Sequence, residues 1–85
     1  MSMKILIADD EPNILLLTQM LFQDMGFQVV MATNGEEAIQ KAISEKPDLV
    51  ITDVVMPKKS GFEVCRALRA IPELADVPII ILSAM

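Results

Sequence analysis

Two short apolar runs end in acid. Lys4-Ile5-Leu6-Ile7-Ala8 leads into Asp9-Asp10, and Leu49-Val50-Ile51-Thr52 leads into Asp53. Three carboxylates gathered in one place repel each other and resist shared ionisation unless a cation sits among them. Oxygen donors suit a hard divalent ion. Magnesium takes octahedral oxygen ligation from one or two carboxylates and keeps several waters beside a substrate phosphate. A site neutralised in this way attracts a phosphoryl group, and a carboxylate can act as the nucleophile that takes it as an aspartyl phosphate. Such a transfer rests on positioning and charge stabilisation more than on further protein chemistry. Ser83, after the apolar run Ile79–Leu82, can offer a hydroxyl to a phosphate oxygen.

Each residue alone has a plainer reading. Acids near a helix start often serve only the helix dipole. Asp53 can be a loop-entry residue, and a serine after a strand is common. Their joint occurrence, each after its own apolar run, favours a site.

The runs that carry these residues need not alternate polar with apolar if both sheet faces are covered, so they read as buried parallel strands. In an open parallel sheet, ligands bind beyond the carboxyl ends of the strands. After strand one (4–8), Glu11-Pro12 starts a helix, since proline is tolerated in the first turn. Ile14, Leu17, Leu21 and Met25 then recur at helical spacing, and Gly26 is placed to end that helix. Strand two is Gln28–Ala32, closed by the turn signal Thr33-Asn34-Gly35. The spacing predicts a helix over Glu36–Glu45, with Ala38, Ile39, Ala42 and Ile43 on one stripe, stopped by Lys46-Pro47. Strand three is Leu49–Asp53, followed by a loop over 54–61, a third helix over about 62–71, a connector over 72–78 and strand four over 79–82. Strand–helix alternation with short connectors implies right-handed crossovers and a doubly wound α/β fold, a parallel sheet with helices on both faces.

Composition narrows the function. At 85 residues there is room for one small domain, and 53% hydrophobic content with a mean hydropathy of +0.48 is apolar for that length. Net charge is −5 with no basic run, which argues against direct nucleic-acid binding, where Lys and Arg must neutralise phosphates. The single cysteine, Cys65, excludes an internal disulfide and fits a reducing compartment; a packing role is expected for it. No signal peptide is visible, and the uncharged stretch 13–23 is shorter than the roughly 20 apolar residues of a membrane span. A soluble, cytoplasmic location is the expectation. Strand four is purely apolar and would be an edge, which invites pairing with another chain.

The chain resembles the receiver domain of two-component response regulators. The matching residues are Asp9-Asp10, Asp53, Met56-Pro57, Gly61 and Ser83-Ala84. The resemblance implies a flavodoxin-like receiver fold, strand order 2-1-3-4, helix one on one face and helices two and three on the other. It implies that Asp53 accepts a phosphoryl group from a histidine kinase or phosphotransfer protein, with Ser83 sensing it. Asp10, Asp53 and the backbone carbonyl of Val55 would bind magnesium or manganese, and Asp9 would assist through water. Pro57 and Gly61 would shape the loop beside the acceptor. The domain would be a phosphoacceptor rather than an enzyme, able to catalyse only its own phosphorylation and slow dephosphorylation. Val55 stands where many relatives place a polar side chain near the attacking water, which implies slower dephosphorylation. The family's fifth strand, with its terminal lysine, and its last two helices would lie beyond Met85. Residues 1–85 thus look like the amino-terminal two-thirds of such a domain, with an output domain expected on a longer chain.

Three other classes compete. A flavodoxin-like nucleotide carrier cradles phosphate on backbone amides at a helix start. Here that segment is Asp9-Asp10-Glu11-Pro12, which repels phosphate and lacks one amide. Aspartate-nucleophile hydrolases generally place two working aspartates two apart after one strand, and Asp53-Val54-Val55 does not. A receiver-like interaction module that is not phosphorylated keeps the fold and loses the chemistry.

Overall fold

The apolar runs form strands where expected: β1 (Lys4–Ala8), β2 (Gln28–Ala32), β3 (Leu49–Asp53) and β4 (Ile79–Leu82). A computed structural model describes residues 3–82, so Ser83 lies outside the described residues. All pairings are parallel, in the order β2-β1-β3-β4. The register sets Ala8 beside Ala32 on one side and beside Thr52 on the other. It also sets Asp53 beside Leu82.

Central strands of a parallel sheet are covered on both faces, and β1 shows it: Ile5, Leu6, Ile7 and Ala8 are all buried. Pleating sends alternate residues to opposite faces. Leu6, Ala8 and Val50 join one core cluster with Ala38, Ala42, Val64 and Leu68, while Ile5, Ile7 and Ile51 join the other with Leu15. The first cluster lies under α2 (Gly35–Glu45) and α3 (Gly61–Arg69), the second under α1 (Pro12–Asp24). The expected split of one helix against two is therefore observed.

Helix ends follow local chemistry. Proline opens α1, and Gly26 just beyond it takes φ +96°. Asn34 caps α2 by accepting the Glu37 amide at 2.8 Å, which starts the helix at Gly35, one residue before the expected Glu36. Ser60 and Glu63 form a reciprocal capping box that starts α3 at Gly61. That helix ends at Arg69 instead of near residue 71, because Ile71 precedes Pro72 and takes the extended conformation such residues favour. The connector contains a short 3-10 turn, Pro72–Leu74, with Leu74 buried. Arg69 Nη1 holds the connector by donating to the carbonyls of Ala75 at 2.8 Å and Val77 at 2.7 Å.

The stripe Ile14, Leu17, Leu21, Met25 marks a helix but not its packed side. All four are at least 49% exposed, and α1 is held by buried Leu15 and half-buried Phe22. Phe22 meets Phe27 edge to face at a centroid separation of 5.9 Å. Ile43 likewise turns outward at the end of the α2 stripe, and Cys65 is only half-buried.

These packing assignments separate two leucines of the same size. Leu68→Ala empties a fully buried position and should lower unfolding free energy by about 3 kcal/mol. Leu17→Ala, on the exposed side of α1, should change it by less than about 0.5 kcal/mol. Urea denaturation of both variants checks this, and equal losses would place Leu17 in the core.

Candidate metal centre

Because Ala8 pairs with Thr52, the residues that follow them, Asp9 and Asp53, stand side by side at the ends of their strands. One carboxylate oxygen from each of Asp9, Asp10 and Asp53 lies within 4.8 Å of the others. Two separate apolar runs thus deliver their acids to one place at the carboxyl edge of the sheet.

Backbone groups hold two of the acids, Asp9 and Asp53. The Asp9 amide donates to the Ala32 carbonyl at 3.1 Å, and Asp9 Oδ1 accepts the Glu11 amide at 2.9 Å. Asp53 Oδ1 accepts the Val54 amide at 2.8 Å, which fixes the orientation of that carboxylate. The Val54 amide also donates to the Leu82 carbonyl at 3.0 Å, tying the site to the end of β4. Asp10 is exposed, while Asp9 and Asp53 are half-buried.

Gly61 is required for this geometry. Its amide donates to the Val54 carbonyl at 2.8 Å. A Cβ on it would collide with the Asp53 carbonyl oxygen and lie 3.1 Å from the adjoining carbon. Only glycine lets α3 begin this close to the end of β3.

Between Val54 and Gly61 the loop is anchored at Met56, which is buried with its sulfur 3.9 Å from the Thr52 hydroxyl. Val55 is 76% exposed beside it. Thr52, the one buried polar residue of the described core, was not singled out from the sequence; a threonine inside an otherwise apolar run is the signal that marks it.

Charge crowding is visible in Asp9. Burial pushes its carboxyl above the ordinary carboxylate range, the Glu11 amide opposes this, and the charges of Asp53, Asp10 and Glu11 add to the rise. Three carboxylate oxygens at one edge, with one acid resisting ionisation, fit a hard divalent cation that retains water. Structural zinc sites prefer nitrogen and sulfur, which this cluster lacks. Lys4, at the amino end of β1, pairs with Glu45 at 3.1 Å, and Lys59 sits in the loop against α2.

A carboxyl whose folded pKa is raised gives stability below its unfolded value and loses it as pH rises through the folded one. Asp53→Asn removes one of the like charges acting on Asp9, so Asp9 should titrate at lower pH in that variant. Carbon-detected NMR of the carboxyl groups, without divalent ions, reads this. An unchanged or higher Asp9 midpoint would mean the two groups do not share a site.

The geometry agrees with what the chain is similar to. Residues 5–85 match the family model described as the response regulator receiver domain. The alkaline phosphatase synthesis transcriptional regulatory protein PhoP of Bacillus subtilis is 45% identical over 84 residues, which cover 99% of this chain and 34% of that protein. The probable transcriptional regulator ycf27 of Pyropia yezoensis is 44% identical over 82 residues, covering 96% of this chain and 32% of the relative. The chain therefore spans about a third of the length of these curated relatives. Among solved structures, the response regulator TrrA of Thermotoga maritima, in complex with Mg2+-BeF, superposes with a TM-score of 0.89 at 44% identity. The match covers 100% of this chain and 71% of that one. The chemotaxis response regulator CheY4 of Vibrio cholerae gives a TM-score of 0.92 at 34% identity, covering 95% of this chain and 68% of that one. Sequence, sheet order and acidic edge agree, and the chain belongs to the response regulator receiver domain family.

Proposed function

We propose that this chain accepts a phosphoryl group on Asp53 from a sensor histidine kinase or phosphotransfer protein, in a magnesium-dependent step of two-component signalling. The observation that carries this reading is the convergence of Asp9, Asp10 and Asp53 within 4.8 Å at the carboxyl ends of β1 and β3. Asp10, Asp53 and the Val55 carbonyl would hold magnesium (or manganese), with Asp9 acting through water. Bound there, the ion supplies neutralisation of charge on the acids and on the entering phosphoryl oxygens.

An Asp53 carboxylate oxygen attacks phosphorus. The bond from phosphorus to the donor's imidazole nitrogen breaks, the electron pair leaves with that nitrogen, and it takes a proton from solvent. The Val54 amide on Asp53 Oδ1 keeps the carboxylate from rotating during attack. Ser83, outside the described residues, is proposed as the hydroxyl that senses the phosphoryl group. Support comes from the Thermotoga maritima relative in complex with Mg2+-BeF. It comes also from a sensor histidine kinase receiver domain of Pseudomonas aeruginosa, 26% identical, with a magnesium ion coordinated in its active-site cleft.

On this reading the chain is a phosphoacceptor, not an enzyme with a separate substrate. Residues 1–85 form the amino-terminal two-thirds of a receiver domain, as the 68% and 71% coverage of its structural relatives suggests. The curated relatives are transcriptional regulators, which supports an output domain on a longer chain. Among the described residues no helix is long and apolar enough to cross a membrane, and a cytoplasmic setting is proposed.

Incubation with acetyl phosphate and magnesium should add the mass of one phosphoryl group, and Asp53→Asn should remove that addition. Asp10→Asn should weaken magnesium binding followed by amide shifts by at least about tenfold. Undiminished labelling of Asp53→Asn would place the acceptor elsewhere. A parent that binds magnesium but is never labelled would instead be an interaction module.

The outer edge of β4 is also proposed to be covered, by another copy of the chain or else by further residues of a longer protein. Among the described residues β4 pairs only with β3, and Ile80 and Leu82 are about half exposed. Sedimentation of the 85-residue chain at micromolar concentration should show a dimer or larger species; a folded monomer would defeat this.

A further inference from the structure

We propose that Gly35, at the start of α2, is a positioning residue for the metal centre, acting through the backbone of the loop over 57–59. The inference rests on the reading of Asp10, Asp53 and the Val55 carbonyl as the metal ligands. Nothing in the acidic triad itself points to Gly35; the packing does.

The β2–α2 corner touches both halves of the site. At its start, the Ala32 carbonyl accepts the Asp9 amide at 3.1 Å. At its end, the Gly35 amide donates to the Pro57 carbonyl at 3.4 Å. That same carbonyl accepts the Lys59 amide at 2.8 Å, closing a tight turn in which Lys58 takes the left-handed φ of +72°. Gly35 is buried against this turn. A Cβ on Gly35 would collide with the Lys59 carbonyl oxygen and lie 2.6 Å from its carbonyl carbon. The obstacle is backbone, so it cannot step aside as a flexible side chain would.

The loop has few other ways to yield. Upstream it is pinned by buried Met56, and downstream by Gly61 against the Asp53 backbone. Val55 is joined to both anchors: it directly precedes Met56, and the Val54 carbonyl just before it accepts the Gly61 amide at 2.8 Å. Pushing Lys59 away from α2 therefore loads both anchors and, through Met56 and the Gly61–Val54 hydrogen bond, shifts the segment that carries the Val55 carbonyl, while Asp9 stays tied to Ala32. The consequence is a change in spacing between the two sides of the centre, and magnesium tolerates little departure from near-ideal octahedral ligation.

A purely structural role predicts something different. Asn34 caps the same helix by accepting the Glu37 amide, and Asn34→Ala weakens α2 without adding an atom to the packed corner. Magnesium affinity is measured by amide-shift titration of the parent, Gly35→Ala, Asn34→Ala and Asp10→Asn. All are held in one sucrose buffer at a temperature where circular dichroism shows the parent folded. Gly35→Ala is expected to bind magnesium at least tenfold more weakly, with Asn34→Ala binding as the parent does despite a lower melting temperature. Parent-like affinity in folded Gly35→Ala overturns the proposal. So does an equal loss in Asn34→Ala, or failure of Gly35→Ala to fold in sucrose, since each assigns the glycine to stability alone. A parent that binds no magnesium, or an Asp10→Asn that binds as well, overturns the reading of the site on which this rests.

Discussion

Parallel, in-register pairing of β1 with β3 is the constraint on which the rest of this structure depends. It sets Ala8 against Thr52 and so brings Asp9 and Asp53 to the carboxyl edge of the sheet at the same level. Like charges are thereby forced together at a site that folding alone gains nothing by building. Burial first, and these like charges after it, hold the Asp9 carboxyl above its ordinary range. A slip of one residue would exchange the faces of every β3 side chain, sending Val50 out of its cluster and Ile51 into it. The apolar faces therefore hold the register, and the register holds the acids. Core packing, at some distance from the chemistry, is what makes the chemistry possible.

Two glycines extend that control to the loop after β3. Gly61 admits the start of α3 against the Asp53 backbone, and Gly35 admits the start of α2 against Lys59. In both cases a helix amino terminus is brought closer to loop backbone than any side-chain-bearing residue allows. The segment over 54–60 is irregular without being loose, since its carbonyls and amides are taken up at Val54, Pro57 and Lys59. Positioning of this kind suits a reaction in which alignment and charge do most of the work.

Much of this was legible in the sequence, for reasons that differ by element. All four strands were readable because each apolar run is short and bounded by turn residues or acids. The acidic cluster was readable because Asp9, Asp10 and Asp53 each terminate such a run. The packed side of α1 was not. Residues 14–17 and 20–22 are apolar nearly all the way round, so periodicity could establish a helix there but not choose its face. Only the sheet surface resolves the choice, in favour of Leu15 and Phe22. The start of α2 was obscured by Asn34-Gly35, a pair that reads as a turn and here acts as a cap. Gly35's approach to Lys59 joins segments far apart in sequence and has no local signal at all.

The two faces of the sheet are unequally furnished. Under α2 and α3 lie Ala38, Ala42, Val64 and Leu68, all fully buried, whereas α1 contributes Leu15 as its one buried side chain, helped by Phe22. Opening free energies within a domain follow such differences, so among the described helices α1 should detach most readily, and its amides should exchange with solvent earliest. The amino end of α1 is joined directly to Asp9 and Asp10, while Asp53 belongs to the better-anchored β3. Whatever bridges those acids binds the docked helix better than the detached one. By mass action it must slow exchange along α1 as its concentration rises, coupling occupancy of the acidic edge to the dynamics of a helix that supplies none of its ligands.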